Sequence, residues 1–397
     1  MRGKLTVLMI TAFVDMLGLA MIIPLLPFYA TKLGASATIV GVLIAAFSIA
    51  QLASAPLWGR FSDRYGRRPA LLAGLLISAV AYVIFAYAST LWLLLLCRIV
   101  QGLGGGTIGV VQAYVADASD PKDRAKSLGW LSAATSFGAV VGPAIGSALI
   151  HWGRHAPGIA SAIFCILVSI FAGTYLRESR EEIVATSEHS VVHQTSGEAV
   201  WSVIAHPKEP AQRLIWIYAI AIGAFYGTAP TLPLLLANRL PITEGNVGYF
   251  VMYLGGMGVF VRAGILGRMI EWLGEVRLTR LGLVLLAVGL ALIAAVHSYL
   301  TLLVALTLMP LGTAFVFPCV TAMLSRVVPT RHRGLYMGVQ HTFGGVSRVM
   351  FPLAAGVAMD HLGIGFPFVI AGVLVLATLL LTTSMEEYAP SRAAAVT

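Results

Sequence analysis

Asp15 is the only acidic residue inside any of the long apolar runs of this 397-residue chain. A carboxyl group set about ten residues into such a run can take up and release one proton, or hold one strong ion pair. Three arginines share its situation: Arg98, Arg262 and Arg348. A guanidinium stays charged and binds carboxylate, phosphate or carbonyl oxygens. A charge at the centre of a membrane helix costs about 2.5–3.5 kcal/mol even on the lenient insertion scale, so a functional role is the default reading of all four. Arg262 is five residues from a loop and could instead snorkel outwards. His341 lies seven residues before Arg348, two turns away on the same helical face. It reads as a hydrogen-bonded helix residue first and a proton relay second. Gln51, Gln101 and Gln112 are polar positions able to line a cavity, and Tyr29, Tyr114, Phe225 and Tyr226 supply aromatic surface. These are residues for moving a proton and holding a small organic molecule. No His, Cys, Asp and Glu cluster has metal-ligand spacing, and no nucleophile elbow is present, so no metal, cofactor or enzymatic chemistry is expected. GLGGGTIG at 102–109 follows no strand and suits close helix packing rather than nucleotide binding.

Outside the apolar runs, charge is crowded into short loops. GRFSDRYGRRP at 59–69 carries Arg60, Asp63, Arg64, Arg67 and Arg68. The arginines help to fix membrane orientation. Asp63 suits an acceptor for an arginine or for the N-terminal amides of a neighbouring helix. Gly59 and Gly66 suit tight turns and close backbone approach.

The elements that must position these residues are membrane helices. Hydrophobic residues make up 58% of the chain and charged residues 11%, far below the roughly 25% of soluble domains. A span needs about 20 mostly apolar residues. Twelve runs qualify, roughly 5–29, 38–58, 69–88, 90–115, 127–150, 156–176, 213–236, 246–267, 279–297, 299–324, 335–358 and 364–384. The first is too long for a signal-peptide core and ends in PLLPFYA, so it reads as a mature helix. Cys97, Cys165 and Cys319 lie far apart within runs and read as core residues. If the N-terminus starts in the cytoplasm and every run crosses once, the inside segments hold 20 of the 26 Lys and Arg and the outside segments three. That bias places both termini inside. It also makes the formal charge of +9 a matter of topology, not a nucleic-acid footprint.

The polar stretch 177–212 divides six runs from six, and the halves repeat. PLLP at 24–27 recurs as PTLP at 230–233, an offset of 206, and GRFSDRYGRRP recurs as GRMIEWLGEVR at 267–277. Pro143 pairs with Pro352 at an offset of 209. A first bundle of 1–176, a cytoplasmic linker of 177–212 and a second bundle of 213–397 follow. Within the linker, 199–206 reads as a short amphipathic helix on the membrane surface. The scaffold repeats but the intramembrane charges do not: Asp15 corresponds to Ala221, Arg98 to about Leu306, Arg262 to Ser54 and Arg348 to Ala139. Function is expected where the halves differ.

The chain resembles the major facilitator superfamily, and within it the twelve-helix drug:proton antiporters that include tetracycline efflux proteins. GRFSDRYGRRP looks like the loop signature G-x-x-x-D-R-x-G-R-R/K. VDMLGLAMIIPLLP at 14–27 is similar to the first-helix signature, CRIVQGLGGG at 97–106 to the helix 4 signature R-x-x-Q-G, and SFGAVVGPAIGS at 136–147 to the helix 5 signature G-x-x-x-G-P-x-x-G-G. The last carries Gly138, Gly142, Pro143 and Gly146, with Ser147 in place of the final glycine. The resemblance implies an all-α fold of two six-helix bundles. It implies that Asp63, Arg67 and Asp117 form a cytoplasmic charge network that locks one state. Gly142 and Pro143 would form a bend that lets helices slide, and Arg98 would take part in proton coupling. Helices 1, 4, 7 and 10 line the cavity in this fold, so Asp15 and Arg98 are expected to share it, as transport groups or as a structural ion pair. Tetracycline exporters of this type carry further acids where this chain has Ala81 and about Ala287, which argues against a metal–tetracycline chelate as substrate.

The expected protein is a monomeric, proton-coupled exporter of small amphipathic organic compounds in a bacterial-type inner membrane, working by alternating access. The alternative is a transporter of an organic anion or anionic lipid that uses the buried arginines. Arg348 is expected to point into the central cavity, paired with Asp15 or with an anionic group of the substrate.

Overall fold

A computed structural model describes residues 2–120, 122–176, 196–383 and 385. Eleven helices among them are long and apolar enough to cross a membrane. They are α1 (Leu5–Lys32), α2 (Ala37–Tyr65), α3 (Arg67–Ala86), α4 (Leu91–Asp117), α5 (Lys126–Trp152), α6 (Ala156–Tyr175), α7 (Pro210–Arg239), α8 (Val247–Gly264), α9 (Glu275–Ala294), α10 (Tyr299–Val327) and α11 (Thr330–His361). A twelfth, α12 (Phe366–Thr382), is apolar but shorter. Each apolar run of the sequence maps to one of these twelve, and no strand occurs among the described residues. The fold is all-α. Helices satisfy their backbone groups internally, which a segment crossing lipid requires. Leu57, Val80, Ile170 and Val373 are exposed, the arrangement a lipid-facing surface needs.

Local sequence sets the helix ends. Ser36, Thr90 and Ser298 accept hydrogen bonds from Ile39, Leu93 and Thr301 backbone amides, capping α2, α4 and α10. Gly66 between α2 and α3 has φ +105°, and its repeat partner Gly274, before α9, has φ +76°. A side chain is strained there, so both copies of the loop keep glycine. Two helices are not continuous. α4 breaks at Gly106–Thr107. α7 passes through a π turn at Gly223–Gly227 and a 3-10 turn at Ala229–Thr231, next to Pro230 and Pro233, which lack amide donors.

The helices pack as two compact units. The first takes α1 to α6 together with Leu236–Tyr253, and its core includes Leu8, Leu71, Tyr114 and Leu131. The second holds the remainder of α7 and the chain from Leu254 onward, with Val261, Leu278, Phe315 and Cys319 at its centre. Leu236–Tyr253 joins the first unit because α5 grips it. Ser147 Oγ donates to the Glu244 carbonyl at 2.7 Å and accepts from the Gly248 amide at 2.9 Å, while Lys32 pairs with Glu244 at 2.5 Å. Cys97, Cys165 and Cys319 are buried and unbridged.

Of the linker, residues 177–195 lie outside the described residues. The amphipathic stretch forms the helix Ser196–Ala205. Ala199 and Val203 are buried, Trp201 and Ile204 are exposed, and Trp216 Nε1 donates to the Val203 carbonyl at 3.1 Å. One face thus packs on the second unit.

Candidate functional site

Asp15 lies on the wall of a cavity of about 610 Å³ in the first unit. The lining comes from α1 (Thr11, Asp15, Met16), α3 (Leu71, Leu75), the second half of α4 (Thr107 to Ala116) and α5 (Leu128, Leu131, Ser132, Thr135). The α4 part of the lining begins at Thr107, where α4 breaks. Asp15 is half-buried and is the only acid in the lining. Among the described residues it makes no hydrogen bond and no ion pair. Its polar neighbours in the lining are Gln112, Ser132, Thr11 and Thr135, and the last two hydroxyls donate to carbonyls of their own helices, at 2.8 Å to Val7 and 3.1 Å to Leu131. A carboxyl group free of partners, in a mostly apolar hollow with a few hydroxyls and one amide, can exchange a proton and face a small amphipathic molecule.

Arg98 and Gln101 are not part of this lining, contrary to the expectation that Asp15 and Arg98 share one space. Arg98 is 3% exposed. Its Nη1 donates to the Gln101 side-chain oxygen, its Nε donates to the Leu43 carbonyl at 3.4 Å, and its guanidinium lies 4.6 Å from the Phe47 ring centroid. Gln51 Nε2 donates to the Gly105 carbonyl at 3.2 Å, and Trp58 Nε1 to the Leu103 carbonyl at 2.6 Å. These contacts clasp α2 to α4. The glycines of GLGGGTIG permit the approach: a Cβ on Gly102 would sit 2.4 Å from the Phe47 carbonyl oxygen. Arg98 is therefore held by a carbonyl, an amide oxygen and a ring face rather than by Asp15. Tyr82 of α3 is buried beside Gln101, within electrostatic reach of Asp15.

Only Gly66 separates α2 from α3, so the charged stretch read as a loop lies on helix ends, with Asp63 and Arg64 closing α2 and Arg67 and Arg68 opening α3. Arg67 donates to Asp63 Oδ1 at 2.8 Å, to Ser62 Oγ at 3.0 Å and to Asp117 Oδ2, at the end of α4, at 3.2 Å. The Asp63 side chain is 69% exposed, against 24% for Arg67 and 22% for Asp117, so the Arg67–Asp117 arm is the more shielded. Arg68 donates to the Gly173 carbonyl of α6, and Arg64 stacks on Tyr65. Gly59, expected at a tight turn or close approach, instead lies inside α2 with open space around it. The second unit repeats the link between α3 and α4 with its signs exchanged. Glu275 at the start of α9 pairs with Arg326 at the end of α10.

On α5, Gly138, Gly142 and Gly146 meet the α1 backbone at the Phe13, Leu17 and Met21 carbonyls, which lets α1 and α5 touch main chain to main chain. A Cβ on Gly248 would lie 1.8 Å from the Pro143 carbonyl oxygen. Pro143 and Ser147 thus form a seat for the start of α8.

In the second unit, Arg348 is half-buried and Arg262 and His341 are exposed. Arg348 is within electrostatic reach of Tyr218 and His341, and Arg262 of Tyr218. The Tyr218 and His341 rings stand edge to face at 6.3 Å. Tyr29 and Tyr114 are fully buried and belong to the core, whereas Tyr226 is exposed. Thr11, Ser132 and Thr135 were not singled out by sequence. Their signal was spacing, since Thr11 lies four residues before Asp15 and Ser132 three before Thr135, each pair on one helical face.

The chain matches the Major Facilitator Superfamily over residues 8–281 and 263–395. It is 28% identical to multidrug resistance protein 1 of Bacillus subtilis (strain 168), over 98% of each chain. It is 27% identical to the class B tetracycline resistance protein of Escherichia coli, over 91% of this chain and 90% of the other. A solved bacterial homologue of the human lysosomal transporter Spinster superposes with a TM-score of 0.82 at 14% identity, covering 98% of each chain.

Proposed function

Since this chain belongs to the major facilitator superfamily, we propose that it is a proton-coupled exporter of small amphipathic organic compounds, working by alternating access in a bacterial-type inner membrane. The observation that carries this reading is Asp15, a single unpaired carboxyl on the wall of a cavity of about 610 Å³. Pockets for small molecules run to about 300–1,000 Å³ and are mostly apolar with a few polar groups. Proton entry at about 100 mV supplies about 2.3 kcal/mol per charge, enough for roughly a 50-fold gradient of a neutral compound. The names of the relatives, multidrug and tetracycline resistance proteins, favour a drug-like substrate. Ala81 and Ala287, both buried, leave no further acids there to hold a metal chelate.

In this reading Asp15 carries the proton and Gln112, Ser132 and Thr135 meet the substrate. Arg98, Gln101 and Gln51 hold the wall that α4 contributes. The Asp63–Arg67–Asp117 network secures the cytoplasmic end of the first bundle, and Gly138, Gly142 and Pro143 allow the helix movement that switching requires. The bundles 1–176 and 213–397 are the moving bodies, and the monomer is the working unit.

The test is Asp15→Asn in proteoliposomes with an imposed pH gradient and a panel of dyes. The variant should elute as folded protein and pass substrate downhill, but lose the pH-driven accumulation entirely. A variant that still concentrates a dye under proton drive removes Asp15 as the obligatory carrier.

A further inference from the structure

We infer that the second unit carries an anion subsite, formed by Arg348 and Arg262 with His341 and Tyr218, for the carboxylate or sulfonate of an aromatic amphipathic substrate. It names a substrate class for the exporter proposed above and rests on that reading. α11 supplies Arg348 and His341 seven residues apart on one face, α7 supplies Tyr218, and α8 supplies Arg262. Tyr218 is the common neighbour: its ring stands edge to face with the His341 ring at 6.3 Å, and both arginines lie within electrostatic reach of it. Among the described residues neither Arg348 nor Arg262 makes a hydrogen bond or an ion pair. Arg98 is the contrast, with an amide oxygen, a carbonyl and a ring face around it.

Acids are scarce along the three helices that supply the subsite and along α10. α7, α8 and α10 contain no acid, and α11 has only Asp360, twelve residues beyond Arg348 at its far end. Two guanidiniums and an imidazole thus lie within reach of one phenol, with no acid on α7, α8 or α10 to pair with them. An intramembrane arginine faces a bundle interior or a water-filled space and finds an anion or carbonyls there. A planar guanidinium matches a carboxylate or sulfonate with two parallel hydrogen bonds.

A cluster of aromatic rings adjoins the charges. The Tyr218 and Phe317 rings lie 5.5 Å apart, and Phe317 stacks with Tyr226 at 6.3 Å and 20°. Tyr226 sits in the π turn Gly223–Gly227, a backbone form that recurs at functional sites. The repeat supports a dedicated role, because Ala139 and Ser54 occupy the corresponding positions of the first half. Like charge disfavours cations here, so the subsite discriminates by sign as well as by shape.

The test measures binding to the full chain in detergent, using a fluorescent naphthalene carboxylate and its uncharged primary amide. Binding needs no proton gradient, so this result is independent of whether the dye panel is exported. The wild type should prefer the carboxylate by about tenfold or more, the scale of one charge-assisted pair. Arg348→Ala should abolish the preference, and Arg348→Lys should keep part of it, because the charge stays while the bidentate geometry goes. Arg262→Ala should lower it and serves as the second variant if Arg348→Ala does not elute as folded protein. An unchanged carboxylate-to-amide ratio in the variants overturns the subsite. Displacement of the probe by phosphatidylglycerol but not by a second soluble aryl carboxylate would overturn the substrate class, leaving a lipid headgroup as the occupant.

Discussion

Ser147 stands where the related helix signature has a glycine, and the structure gives the substitution a use. Its hydroxyl is fully buried, donates to the Glu244 carbonyl and accepts from the Gly248 amide. Ser147→Ala removes both bonds and leaves a buried amide and a part-buried carbonyl unmatched, a loss of about 1–3 kcal/mol. A lowered melting temperature in detergent is expected, and an unchanged one would show that the grip on α8 comes from Pro143 and packing alone. Sequence could not assign this role because the partners lie 97 and 101 residues away. Arg98 was misplaced for the same reason. Its charge could be read from the chain, but the Leu43 carbonyl and Phe47 ring that hold it are known only once α2 and α4 are packed. Asp15 was legible because a lone acid in an apolar run is costly wherever its neighbours fall.

At the scale of elements, the charge network at the joined ends of α2, α3 and α4 rests on Arg67 and Asp117, which tie α3 to α4, more than on Arg67 and Asp63, which tie α3 to α2. The mostly solvated Asp63 carboxylate behaves as a surface partner worth about 0.2–1 kcal/mol. Asp117 shares a more shielded bond, worth about 1–2 kcal/mol after allowance for its partial exposure. Asp63→Asn should therefore change stability less than Asp117→Asn, as thermal unfolding in detergent would read. Exchanging the pair, Arg67→Glu with Asp117→Arg, should recover most of the loss of either single change. Failure to recover would mean that Arg67 acts chiefly through Ser62 and Asp63. The twelve apolar runs and the repeated glycine loop were readable because both follow from local composition. The break in α4 and the π turn in α7 were not, since a periodic apolar pattern continues through each.

For the whole molecule, the lysine and arginine bias predicts a topology in which loops that follow even-numbered helices face the cytoplasm. His297→Cys, between α9 and α10, should react with an impermeant thiol reagent in intact cells, and Arg331→Cys, in the first turn of α11, should not. The reverse pattern would invert the orientation. The polar gap between repeats at 177–212, from which a division into two bundles is expected, was legible in the sequence. The attachment of Leu236–Tyr253 to the first unit was not, because it depends on Ser147 and Lys32 meeting Glu244.

The exchanged signs of the two helix links bear on how such a duplicated chain sorts itself as it enters the membrane. α3 beside α4 brings Arg67 to Asp117, and α9 beside α10 brings Glu275 to Arg326. A stray pairing of α3 with α10 would set arginine against arginine, and one of α9 with α4 would set glutamate against aspartate. Two halves alike enough to be mistaken for each other thus carry opposite addresses at the same place, and like charges reject the wrong neighbour. The chain with Arg67→Glu and Asp117→Arg keeps both bridges but erases the difference in address, and its extra aggregate on size exclusion would measure how far sorting during insertion relies on those four side chains.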